Sequence, residues 1–88
     1  PGQNDRPFVM VKIVGGVSRL FVDRSALLQF IVQLDEAFMR PGCLYMIGET
    51  TQLFEGWRDW TDQIEFAAEI AEEDRQTFGN AVQIVQMD

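Results

Sequence analysis

The sequence predicts a two-layer α+β domain with the element order β-β-α-β-α-β, in which an antiparallel hairpin leads a mixed sheet and helices pack on that sheet. Three observations predict this class: two strand-like runs that flank Gly15–Gly16, a long apolar helical segment after them, and short apolar runs later in the chain. The 88 residues suit one domain, with 1–7 as a flexible polar lead-in and 8–88 as the globular part.

The predicted hairpin joins a strand at 8–14 to a strand at 17–22 through Gly15–Gly16, because two-residue turns need positive φ angles that glycine adopts freely. Its register pairs Val14 with Val17, Lys12 with Arg19, and Met10 with Phe21. One face of the hairpin is apolar and suits a core, namely Val9, Val11, Ile13, Leu20 and Val22. The other face sets the two basic side chains opposite each other, and we expect both to reach into water.

A helix is predicted from a cap at Asp23 or Ser25 to about Arg40, where Pro41–Gly42 ends it. Its polar stripe is narrow and most of its other side chains are apolar, so it must be covered on more than one side. The sheet covers one side, and a second helix or another subunit must cover the rest. The alternative to packing within the domain is a homodimer through Phe30, Val32 or Met39.

A short third strand is predicted at 43–47, ended by Gly48, and 49–56 is predicted to be a loop. Cys43 begins that strand and has no histidine partner anywhere in the chain. We therefore expect it to be an inert thiol in the core.

The segment 57–78 has two interpretations. As a helix, it collects apolar residues on one face and acids on the other, at spacings of three and four. As a strand, 64–70 alternates apolar and polar residues almost as well. The alanine and glutamate content of 65–73 favours the helix, which Gly79 would end, and 81–87 is predicted to be the last strand.

Aromatic residues in this half of the chain have different expected roles. Phe54, Trp57 and Trp60 are predicted to form a core cluster, since aromatics at this spacing are usually buried. Phe66 has two open interpretations: an interface anchor among the acids of the helix, or a core residue.

Charge is distributed unevenly. Residues 1–48 carry four acids and five bases, whereas 49–88 carry ten acids and two bases, within a net charge of −7. Such an acidic half attracts basic partners and repels polyanions, so direct binding of nucleic acid is not expected.

The chain has no histidine and one cysteine, and no catalytic, metal or cofactor motif, so we expect a non-enzymatic protein without a cofactor. One cysteine and no membrane-length apolar run favour a cytoplasmic location away from the membrane.

The sequence therefore predicts a protein-binding module whose carboxylate-lined helix docks on a basic surface of a partner. Its sharpest form is an inhibitor of a nucleic-acid-binding enzyme that imitates the polyanion, as a phage anti-defence protein does. The predicted partner-binding residues are Glu55, Asp59, Asp62, Glu65, Phe66, Glu69 and Glu73. The alternative is an assembly module that acts through homo-oligomerisation.

Overall fold

A computed structural model describes residues 8–14 and 21–86. The strands are β1 (Phe8–Val14), β2 (Val22–Asp23), β3 (Gly42–Met46), β4 (Trp60–Thr61) and β5 (Gln63–Ile70). The helices are α1 (Arg24–Phe38), α2 (Glu49–Glu55) and α3 (Arg75–Gln86), with a 3₁₀ turn at Glu72–Asp74 before α3. The predicted α+β class is confirmed, and the first six elements follow the predicted order, although the second helix and the strands after it occupy other residues than expected.

The main sheet of the described residues has three strands in the order β1-β5-β3, and β5 pairs antiparallel with both neighbours. Strands β1 and β3 are therefore parallel to each other, and α1 connects them. This is a split β-α-β unit in which the third strand lies between the two parallel ones. A separate two-stranded ladder pairs β2 with β4.

The helices cover one face of the sheet, and alternate side chains of β5 define that face. Ile64, Phe66, Ala68 and Ile70 are buried together with residues of all three helices. Apolar side chains of β1 and β3 pack against the same cluster: Val9, Val11, Ile13, Leu44 and Met46. The predicted core positions are thus confirmed for Val9, Val11 and Ile13 in β1, and for Val22, although Val22 lies in the separate β2–β4 ladder and not on a shared hairpin face.

The first helix has the predicted boundaries because its end signals are local. The Asp23 carboxylate accepts a hydrogen bond from the Ala26 N–H at 2.8 Å, which satisfies one of the free donors of the first turn. The helix ends at Phe38, and Met39 adopts a left-handed conformation before the Pro41–Gly42 pair. The predicted third strand is also confirmed, one residue earlier than expected at each end.

The helix predicted for 57–78 is wrong. That segment contains β4, β5 and the 3₁₀ turn, and α3 begins only at Arg75. A central strand is hydrogen-bonded on both edges and buries a complete apolar face. This gain outweighs the helical preference of alanine and glutamate, which is below about 1 kcal/mol per residue.

The strand predicted for 81–87 and the loop predicted for 49–56 are also wrong. Residues of α3 are buried at the helical spacing i, i+3, i+4 and i+7, namely Phe78, Ala81, Val82 and Val85. In the other segment, α2 buries Leu53, and Gly56 ends the helix with φ +88°. Burial of one apolar side stabilises each of these helices. In a short segment rich in polar residues, the sequence pattern indicates such a side only weakly.

The predicted hairpin is only partly testable, since its turn and 17–20 lie outside the described residues, as does the lead-in 1–7. Within the described residues, Met10 is opposite Ala67, and Phe21 belongs to no strand, so that predicted pair is wrong. Lys12 lies opposite Glu65, an acid, in the neighbouring strand.

Among residues 8–14 and 21–86, no helix has the length and apolar character needed to cross a bilayer.

Replacing Gly79 with alanine is expected to stabilise the domain by about 0.5–1 kcal/mol, since this glycine lies exposed inside α3 with open space around it. Urea denaturation measures the change. The matched control is Gly42→Ala, whose added Cβ would lie 2.7 Å from Ile70 Cγ2 and 3.0 Å from the Glu69 carbonyl. We expect the free energy of unfolding of that variant to fall by about 1–3 kcal/mol. Destabilisation by Gly79→Ala would contradict a helix through this position.

Candidate functional site

The predicted partner-binding acids do not form a single row. Glu55 ends α2, Asp59 and Asp62 flank β4, Glu73 lies in the 3₁₀ turn, and Glu65 and Glu69 lie in β5. The structure brings together only the members that are already close in the sequence. The carboxylate-lined helix on which the docking prediction depended is therefore wrong, because alternation along β5 and the breaks before and after it distribute these groups over several surfaces.

Phe66 is a core residue, which decides between its two sequence interpretations. Its side chain is fully buried, and its ring lies 6.0 Å from that of Phe30 and 6.3 Å from that of Phe78. The second contact is edge-on, a favourable arrangement for aromatic rings. A partner therefore cannot contact Phe66 in the folded domain.

Glu65 and Glu69 lie on the face of the sheet opposite the helices. The Tyr45 hydroxyl donates a hydrogen bond to Glu69 Oε1 at 2.9 Å. This hydrogen bond and the negative charge of Glu69 raise the pKa of Tyr45 above its ordinary value.

Cys43 is exposed, and its strand position opposite Glu69 places it on the same face, so the predicted core thiol is wrong. Alternation along β3 directs Leu44 and Met46 inward instead.

The substitution Glu69→Gln is expected to lower the pKa of Tyr45 toward its ordinary value, since the neutral amide removes the negative charge that opposes tyrosinate formation. Tyr45 is the only tyrosine of the chain, so the ultraviolet absorbance of tyrosinate reports it alone. Glu73→Gln, which changes an acid in the 3₁₀ turn, is the control and should leave the titration unchanged. Equal titration of the Glu69 variant and the parent would contradict the placement of Glu69 beside Tyr45.

Exposed aromatic side chains lie between the end of α2 and β4. Trp57 is 81% exposed and Trp60 45% exposed, and the Trp60 ring stacks on Phe21 at 5.5 Å between centroids. The predicted core cluster of Phe54, Trp57 and Trp60 is therefore wrong, since all three side chains are exposed. We define the aromatic–acidic patch as Phe21, Trp57 and Trp60 with the exposed acids Glu55, Asp59 and Asp62.

Arg58 holds the loop that carries this patch. Its Nε donates to the Trp60 carbonyl at 3.0 Å, its Nη1 donates to Gln52 Oε1 at 3.3 Å, and its Nη2 lies 3.5 Å from Glu49 Oε1. The Thr61 hydroxyl donates to the same Glu49 oxygen at 2.8 Å. These contacts connect β4 to α2 and fix the backbone on either side of the tryptophans. The backbone that carries the patch is therefore restrained before any partner arrives, which lowers part of the entropic cost of binding.

The electrostatics of the patch favour cations. Arg58 is engaged with Glu49, and Arg24 donates from Nε to the Phe54 carbonyl at 3.0 Å. In the described part of the chain, the ion pairs are Arg40–Asp74 and Arg58–Glu49, so they do not include the acids of the patch. Indole faces attract ammonium and guanidinium groups, and free carboxylates beside them add to that attraction.

Sequence reasoning missed Phe21 as a member of the patch. Pairing of Val22 with Thr61 and of Asp23 with Trp60 brings Phe21 to the tryptophan loop from a distant part of the chain. The sequence offered a weak signal for exposure, because polar and charged residues interrupt the aromatic ones between 55 and 62.

In comparisons with known proteins, no family model, no curated protein and no solved structure matches the chain. Within the described ranges, the structure brings together no cluster of histidine, cysteine and acidic residues suited to a metal ion. The proposal for function therefore depends on the geometry and charge of the patch.

Proposed function

We propose that this domain is a non-enzymatic protein-binding module that docks the aromatic–acidic patch on a basic surface of a partner protein. The observation that carries the proposal is the exposure of Trp57 and Trp60, in a loop held by Arg58, beside three acids that form no ion pair within residues 8–14 and 21–86. Binding hot spots in protein interfaces are enriched in tryptophan, tyrosine and arginine, and exposed apolar patches rimmed by polar residues mark interaction sites.

The chemistry of the patch selects the class of partner. A Lys- or Arg-rich surface places cations on the indole faces and beside the carboxylates at once. Nucleic acid does not suit the patch, since the acids repel phosphates that would accompany stacked bases. A nucleic-acid-binding enzyme presents a basic surface of the required kind, so an inhibitor of such an enzyme, as a phage anti-defence protein is, belongs to this class. In this proposal, Glu55, Asp59 and Asp62 remain partner-binding residues, without the helix first expected to carry them.

The double substitution Asp59→Lys with Asp62→Lys is expected to weaken partner binding at least about tenfold and to make its salt dependence shallower, because both groups face the partner's cations. The tagged parent domain first captures its partner from cells of the source organism at low salt. The purified pair is then titrated by calorimetry at several salt concentrations.

The matched control is Glu72→Lys with Glu73→Lys, which makes the same change in net charge at two exposed acids of the 3₁₀ turn. Binding should survive it with at most a small loss from long-range attraction. Equal losses for the two double variants would show that net charge alone matters and would refute a defined acidic site.

Homo-oligomerisation through α1 remains a second candidate because Val32 is 55% exposed and Met39 is 80% exposed. Phe30, predicted with them, packs on Phe66 and is only partly accessible. Sedimentation equilibrium separates the candidates: a stable dimer that Val32→Lys dissociates would favour assembly over partner binding.

A further inference from the structure

Hollows follow β3 along its length, bordered by α1 and, toward Met46, also by α2, and together they form a groove. It consists of two adjoining cavities of about 430 and 440 Å³ that share Ile31 and Leu44 as lining residues. The first cavity follows β3 from Gly42 to Leu44, and the second follows it from Leu44 to Met46. The five residues of β3 span roughly 16 Å, so the groove matches an extended peptide in length.

The edge of β3 that faces away from β5 offers free backbone groups. The Ile47 N–H donates to the Glu65 carbonyl at 3.2 Å, which fixes the alternation of the antiparallel ladder. By that alternation, Cys43 and Tyr45 bond to β5, whereas the N–H and C=O groups of Leu44 and Met46 point away from it. In the described part of the chain, β3 pairs with β5 alone, so these groups are available to an added strand.

Apolar side chains form the floor of the groove. In the first cavity, Ile70 of β5 and Phe78 of α3 line the groove together with Ile31 and the half-exposed Val32 of α1, and Ile31 continues into the second cavity. The first helix is apolar over more of its circumference than the sheet and α3 cover. Of that surface, Leu28, Ile31 and Val32 line the two cavities, where alternate side chains of an extended peptide can be buried.

The charges at the two ends of the groove are acidic. Asp35 and Glu36 lie at the Gly42 end, and Glu55 lies at the Met46 end. Arg40, the basic residue that lines the groove, is held 3.2 Å from Asp74 by an ion pair. A segment with an apolar centre and a lysine or arginine toward each end is therefore complementary to it.

We propose that this groove binds an extended segment of a partner protein by strand addition to the edge of β3, with apolar side chains in the floor and basic side chains at the acidic ends. Backbone hydrogen bonds supply affinity, and the alternate side chains supply specificity. A second copy of this chain is the poorer occupant, because two-fold pairing of the β3 edges is antiparallel and brings Asp35 and Glu36 of one copy beside Glu55 of the other. The groove shares Glu55 with the aromatic–acidic patch but includes neither Trp57 nor Trp60, so substitutions at residues that line only one of the two sites test them separately.

The test uses a seven-residue peptide, Lys-Thr-Val-Thr-Val-Thr-Lys, capped at both ends and labelled with a fluorophore. When extended, it presents both lysines and both valines on one face, so either chain direction matches the groove. Fluorescence anisotropy with the full chain should show saturable binding with a Kd below about 1 mM. The amide chemical shifts of Leu44 and Met46 should change on binding.

Backbone methylation tests the strand addition itself. Only alternate peptide amides point at β3: those of the valines in an antiparallel addition, or those of the threonines in a parallel one. A peptide N-methylated at both valines and another N-methylated at the threonines should therefore differ, one losing at least about tenfold in affinity and the other retaining it. Equal affinities of the two methylated peptides would overturn strand addition.

Charge reversal tests the ends of the groove. Asp35→Lys with Glu36→Lys should weaken peptide binding about tenfold, whereas Glu72→Lys with Glu73→Lys should leave it unchanged. Trp57→Ala should also leave it unchanged, so failure here and failure of the aromatic–acidic patch are distinguishable. No binding of the peptide by folded protein at about 1 mM would overturn the proposal. A dimer that protects the Leu44 and Met46 amides and excludes the peptide would overturn it too, since a second copy would then occupy the groove.

Discussion

Phe66→Ala is expected to lower the free energy of unfolding by about 3–5 kcal/mol, the cost of removing a fully buried phenylalanine side chain from a packed core. Phe66 contacts rings from α1 and α3 and connects the central strand to both helices. A small domain has a total stability of about 5–15 kcal/mol, so this variant should lose a large part of it. Urea denaturation followed by circular dichroism measures the loss.

The control for this variant is Trp57→Ala, which removes a larger aromatic side chain from the surface and should change stability by less than about 0.5 kcal/mol. A Phe66→Ala variant that keeps its stability and loses partner binding would contradict the core position. It would restore the interface interpretation of this residue.

Trp57→Ala and Trp60→Ala are each expected to weaken partner binding by about 2 kcal/mol or more, which corresponds to at least about thirtyfold in Kd. The physical reason is that an indole loses its apolar contact area and its cation contact together when it is truncated. Calorimetric titration of the purified partner measures the effect.

The matched control is Ile84→Ala, which truncates an exposed apolar residue of α3 outside the patch. We expect this variant to bind as the parent does. If all three variants bind equally, the exposed tryptophans are not binding residues.

The first helix and the third strand could be predicted from the sequence because their signals are local. An aspartate cap, an apolar segment and Pro41–Gly42 all favour the same boundaries for α1. The strand β5 could not be predicted in this way, since its identity depends on pairing with β1 and β3, which are distant in the chain. Its alternation was visible, but the composition of 65–73 favoured a helix, and tertiary pairing outweighed that preference.

In the candidate site, too, only local relationships could be predicted from the sequence. Glu55, Asp59 and Asp62 remain close because they are neighbours in sequence, whereas Glu65 and Glu69 lie in β5 and belong to the main sheet. The polar residues between the tryptophans signalled their exposure only weakly, since aromatic residues at this spacing are usually buried. The loop that carries them is fixed by Arg58, whose partners in α2 become neighbours only in the folded chain.

Site-specific photo-crosslinking tests the central claim, that the aromatic–acidic patch is the surface that meets a basic partner. Benzoylphenylalanine replaces Phe21 in one tagged variant and Ile84 in the other, and both are irradiated in cells of the source organism. We predict one crosslinked protein from position 21, attached through a segment rich in lysine and arginine, and its loss when Asp59→Lys and Asp62→Lys are added. The same product from both positions, or a product from position 21 that survives the charge reversal, would contradict the account.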